Sequence, residues 1–180
     1  MWYPEEKGGM MRYYVALFLA FVALPCLAAK DPNLKNLGTF GDWTAYTYHD
    51  EMGRICYMAS EPTKSTGKYS KRDDVFLMVT HRPSEKAFNV VNTVAGYTYK
   101  KGSKPTLAID NKKAITLVSH EDTAWAKDRK TDDQLVEQMK AGSVGVLKGT
   151  SKRGTNTTDT FSFKGFSKAY DKISEACEYK

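Results

Sequence analysis

KGTSKRGTNTTDTFSFKGFSKAYDKISEAC, residues 148–177, holds three structural instructions in one run: a basic glycine-containing turn, an alternating strand, and an amphipathic helix that ends in a cysteine. In the strand, Thr157, Asp159, Phe161 and Phe163 fall on one side and Thr158, Thr160 and Ser162 on the other, as a period of two requires. After Gly165 the period becomes helical, with Phe166, Ala169, Tyr170, Ile173 and Cys177 on one face and Lys168, Asp171, Lys172 and Glu175 opposite. A thiol on the buried face of the last helix is placed to fasten that helix to an earlier element.

Upstream of this run, Thr131 and Gln134 have the spacing of a capping box, Asp132 and Asp133 suit a helix N-terminus, and Gly142 is a natural stop. Leu135, Val136 and Met139 would form the apolar face of a helix over 131–141. Most of the remaining chain reads as short strands separated by turns. Strands are expected at 43–48, at 54–60 carrying Cys56, at 75–80 and at 87–95. A hairpin around Asn111-Lys112 joins 105–110 to 114–119. Residues 62–72 read as an exposed loop, and Trp125 as a large side chain capping one end of the core. The expected architecture is one mainly antiparallel β domain over 39–180, a sandwich or barrel-like fold of about eight or nine strands. Helices at 131–141 and 166–177 would cover an edge or an open end.

The N-terminus has a different character. Residues 1–10 are polar and glycine-rich; from residue 11 a short start carrying Arg12 leads into an apolar run over 13–24, then Pro25, Cys26, Leu27, Ala28 and Ala29. This is the pattern of a secretion signal over 11–28 with cleavage after Ala28. Two other fates are open: retention as a membrane anchor, and lipid attachment at Cys26. The run is shorter than the roughly 20 residues that span a bilayer, and Pro25 is a poor neighbour for lipid processing. Residues 29–38 then form a flexible lead-in. Cleavage leaves Cys56 and Cys177, which in an oxidising compartment are most simply read as one disulfide.

Composition adds a constraint on partners. The 180 residues are 41% hydrophobic and 27% charged, with a formal charge of +6, which is enough for one domain with a core. The basic residues occur in small groups, ending with Lys148, Lys152 and Arg153, which together could hold an anion near a glycine turn. Such a balance suits an anionic membrane or envelope surface, and export argues against nucleic acid. The plainer reading of the same lysines is a charged hairpin tip that discourages strand pairing.

Catalytic patterns are weak. His49 precedes Asp50-Glu51 and His120 precedes Glu121-Asp122, so the two loops could converge on a metal and support a hydrolase or a carbohydrate binder. Successive strand residues point to opposite faces, however, so each cluster easily offers one ligand. Ser151 does not sit in a strand-to-helix elbow. No cofactor is expected.

An ordered set of short motifs is more specific: Phe40-Gly41-Asp42-Trp43, Cys56, Ala124-Trp125-Ala126, Met139-Lys140-Ala141-Gly142, Lys148-Gly149-Thr150-Ser151, Arg153-Gly154-Thr155, Asp159-Thr160-Phe161-Ser162, Gly165-Phe166, Ala169 and Cys177. In this order the chain resembles the invasion-associated locus B family. The resemblance implies an exported, non-enzymatic protein of the alphaproteobacterial envelope. It would sit in the periplasm, at the outer membrane or outside the cell, and bind a protein or envelope polymer. Pathogenic members are linked to host-cell entry and envelope stress. The family supplies no catalytic residues to transfer.

Overall fold

The computed structural model describes residues 33–179. The expected unstructured segment 1–10, the expected secretion signal over 11–28 with Cys26, and the expected cleavage after Ala28 lie outside the described residues. Among these residues are twelve strands and two α-helices, with a single 3-10 turn at Pro83–Glu85. The strands are β1 (Lys35–Phe40), β2 (Trp43–Asp50), β3 (Gly53–Ser60), β4 (Lys64–Gly67), β5 (Phe76–Arg82), β6 (Ala87–Val94), β7 (Thr106–Ile109), β8 (Ile115–Thr116), β9 (Val118–His120), β10 (Thr123–Trp125), β11 (Val144–Thr150) and β12 (Asn156–Ser162). The helices are α1 (Arg129–Ala141) and α2 (Phe166–Ala176). All pairings are antiparallel, in a seven-stranded sheet ordered β1-β2-β3-β5-β6-β10-β9 and a five-stranded sheet ordered β4-β12-β11-β7-β8. The arrangement is a sandwich, not a closed barrel.

The strands beyond the expected number are short or polar pieces. Lys35–Phe40, expected mostly as a flexible lead-in, is an edge strand on β2, so the domain begins near Lys35. Lys64–Gly67 lies in the expected loop, is wholly exposed, and finds its partner β12 more than ninety residues on. The run 114–119 divides at buried Leu117: β8 pairs in the small sheet and β9 in the large one. Neither edge piece has an apolar rhythm, so periodicity could not mark it.

One core joins both sheets and both helices. Trp43, Met58, Leu77, Val79, Val91 and Ala124 face inward from the large sheet and Leu107, Ile109, Leu147 and Phe161 from the small one. The face expected for α2 is the one observed: Phe166, Ala169, Tyr170 and Ile173 are buried against it. α2 lies against the edge strand β1 and its neighbours β2, β3 and β5, and α1 packs on β6. Cys177, just after α2, is bonded to Cys56 on β3. At the helix entry, Gly165 takes φ +89°, and a Cβ there would collide with the Phe40 carbonyl oxygen. Only glycine serves both demands.

Two expectations need correcting. The cap of α1 is Asp128, whose Oδ1 accepts from the Thr131 backbone N–H at 2.8 Å and its hydroxyl at 2.6 Å. Thr131 therefore sits inside the helix, which starts one turn earlier on a simple side-chain cap. Trp125 does not cap the core. Ala124 takes the inward position, which puts Trp125 on the outer face of the large sheet, as strand alternation demands of consecutive residues.

Candidate functional site

Residues from three loops meet around a cleft of about 550 Å3. The segment after β4 supplies Lys68, Tyr69, Lys71, Arg72 and Asp73; the segment after β6 supplies Gly96, Tyr97 and Thr98; the β11–β12 turn supplies Ser151, Lys152, Arg153 and Thr155. The turn is firmly built. The Ser151 backbone N–H donates to the Thr155 carbonyl at 2.9 Å, that of Gly154 to the Ser151 carbonyl at 2.8 Å, and that of Lys152 across to the Thr98 carbonyl at 2.8 Å. Gly149 is needed beneath it, because a Cβ would press on the Tyr97 hydroxyl and the Tyr99 ring.

Arg72 holds the floor. Its Nη1 and Nη2 donate to the two Asp159 carboxylate oxygens at 2.7 and 2.8 Å, and its Nε donates to the Ala95 carbonyl at 2.7 Å. The guanidinium lies between the rings of Tyr97, at 4.9 Å, and Tyr69, at 5.5 Å. The Tyr97 and Thr157 hydroxyls are bonded at 2.6 Å, and burial raises the Tyr97 pKa. Arg72 is thus neutralised from inside the core, by a residue of the strand that opened the sequence reading. Lys68, Lys71, Lys152 and Arg153 are different: none has an ion-pair partner among the described residues, and Asp73 is the one carboxylate on the lining. Unpaired cations around a concave surface focus a positive potential that attracts anions.

Of the three anion-binding candidates read from sequence, the structure places Lys152 and Arg153 on this cleft. Lys148 is on β11, exposed and paired across to Thr158 and Thr106, and is not part of the lining. The contributions of Lys68, Lys71 and Arg72 were missed because that segment reads only as polar loop. A cluster of three cations in five residues was its one available signal.

The histidine loops do not converge. His49 is on β2 and His120 on β9, five strand spacings apart across the large sheet, or roughly 24 Å. One ion cannot bind both. Asp50 is occupied as a turn former, its Oδ1 accepting from the Met52 and Gly53 N–H groups at 2.9 and 3.0 Å. Among the described residues no group of three His, Cys, Asp or Glu side chains is placed to hold a metal.

The third histidine makes the contact that most resembles a nucleophile pair. His81 is buried, with Nε2 3.2 Å from the Ser174 hydroxyl. Its Nδ1, however, accepts from the Asn89 backbone N–H at 3.1 Å. In the neutral ring the proton must then be on Nε2, so His81 donates to Ser174 and cannot take its proton. The pair therefore knits α2 to β5.

Burial lowers the His81 pKa to about 4 and raises that of Asp132, which accepts from the Val91 N–H at 2.8 Å, to about 6. Their effects on stability have opposite signs. Unfolded histidine takes up a proton near 6.5, before the folded ring does, so acid favours unfolding between pH 6.5 and about 4. The folded Asp132 carboxyl takes up its proton near 6 and the unfolded one near 3.8, so acid favours folding over nearly the same range. Asp132→Asn keeps the acceptor for Val91 and removes the second effect. Urea midpoints of the variant should fall relative to the parent by the equivalent of about 2 kcal/mol from pH 6.5 to 4. Parallel pH curves would refute this offset.

A sequence model described as Invasion associated locus B (IalB) protein matches residues 43–174, well over half of the chain, from β2 into α2. Neither a curated protein nor a solved structure matches the chain.

Proposed function

The chain belongs to the invasion associated locus B family, and on that premise we propose that it is an exported, non-catalytic envelope protein that holds an anionic partner in its basic cleft. The observation carrying this reading is the ring of Lys68, Lys71, Lys152 and Arg153, without ion-pair partners among the described residues, around a rigid floor. A flexible charged hairpin tip would need neither the buried Arg72–Asp159 pair beneath it nor the hydrogen bond that pins Lys152 to Thr98. The partner displays phosphate or carboxylate groups on an envelope polymer or surface. Through it the protein contributes to envelope integrity, stress survival or, in an invasive bacterium, host-cell entry. The secretion signal fits this role, and the mature protein would begin at Ala29 in the periplasm or envelope.

The experiment is co-sedimentation of the exported protein, its N-terminus verified, with isolated envelope fragments at several salt concentrations. Binding should weaken with salt, as surface charge contacts do. The double variant Lys152→Glu and Arg153→Glu should bind about tenfold less or weaker still. Salt-independent binding, or equal binding by the variant, would sink the proposal.

A further inference from the structure

The outer face of the seven-stranded sheet carries a second groove, of about 560 Å3, that shares no residue with the basic cleft. The solvent side of an antiparallel sheet usually shows polar and charged side chains. Here Tyr57 on β3 stacks on Tyr46 with centroids 5.0 Å apart and meets Tyr48 edge-on at 6.1 Å. This tyrosine cluster forms one wall. Trp125 on β10 forms the other, three strand spacings or roughly 14 Å away.

The floor between the walls is mixed: Met78 and Val90 give it apolar surface, and Thr80 and Asn92 set polar groups among them. Thr80 lies opposite Tyr57, and Asn92 lies between Met78 and Trp125. The Thr80 hydroxyl has no partner among the described residues, and the Asn92 amide reaches only the Met78 sulfur, at 3.9 Å. Charge is nearly absent, although 27% of the chain is charged. Arg82 is the one charged residue on the lining, and it is engaged by Asp50 at 3.5 Å and Glu85 at 3.2 Å.

We propose that this groove binds a neutral oligosaccharide chain. A pyranose ring has apolar C–H faces and a rim of hydroxyls. The aromatic walls offer flat apolar surface to the faces, while Thr80 and Asn92 donate to and accept from the rim. The one charge on the lining, Arg82, is already engaged by Asp50 and Glu85, so no free cation compensates an anionic sugar for lost water. An apolar protein patch laid on the same face would leave the threonine and the amide unpaired at a cost. The roughly 14 Å between the walls suits a chain of linked rings rather than a single sugar.

The test is isothermal titration of the full chain with two neutral probes, chitohexaose in its N-acetylated form and cellohexaose. At least one should bind saturably. Trp125→Ala should weaken it about tenfold or more, and Trp125→Phe much less. Urea midpoints close to the parent's would show that both variants are folded. The Lys152→Glu and Arg153→Glu protein should bind the sugar as the parent does, which separates this groove from the basic cleft. The inference is overturned if neither probe binds or if Trp125→Ala binds equally well. It is also overturned if sedimentation shows that this face pairs two copies of the chain and that Trp125→Ala releases monomers.

Discussion

Cys177→Ala is expected to lower stability by about 5 kcal/mol, the chain-entropy value for a bridge whose ends are 121 residues apart. A bridge acts chiefly by restricting the unfolded chain, and the restriction grows with the loop. Few domains of this size have a margin much above 5–15 kcal/mol, so about 5 is a large part of the whole. Cys56→Ala should cost nearly the same, and the double variant little more than either, because all three lose one bond. Urea unfolding of the set measures this. Additive losses, or single variants within about 1 kcal/mol of the parent, would show that the bridge contributes little.

Asp159→Ala comes next, at about 3–5 kcal/mol. The Arg72 and Asp159 side chains are only 5% and 1% exposed, so removing the carboxylate strands a guanidinium in the interior. Most of the damage is that stranded charge and not the loss of an intrinsically strong bond. Replacing both partners, with Arg72→Met and Asp159→Leu, should therefore be less harmful than Asp159→Ala alone. Chemical denaturation of the three proteins decides it. A double variant less stable than the single would mean that the pair itself, with the Arg72 bond to Ala95 and its two tyrosines, supplies the stability.

What could be read from the sequence follows from where the forces act. Thr157 to Phe163 announced its inward face because a half-buried strand repeats every two residues, and α2 announced its own by a helical repeat. Asp159 was placed correctly on the inward side, yet nothing local named Arg72, 87 residues away, as the reason a carboxylate could stay there. Trp125 was misplaced because size suggests burial, whereas the pleat had already given the inward position to Ala124. The cap was misplaced because Thr131-x-x-Gln134 matches the capping-box pattern, whereas the observed cap Asp128 is followed three residues on by Thr131 and carries no such signature. Half of the basic cleft was visible, in Lys152 and Arg153. The other half lay in a segment positioned by tertiary contacts alone.

The pairing of β4 with β12 bears on when the chain can fold. Trp43 bonds to the Ser162 carbonyl, Arg72 to Asp159, Cys56 to Cys177 and β4 to β12, so early elements are completed by the last forty residues. Such long-range closure is slow and comes late, since the entropy of joining distant segments is spent before their contacts return anything. A chain still being made lacks β11, β12 and α2, and with them much of the small sheet and one wall of the core. Until those three elements have been made, the earlier ones lack the partners that close the core.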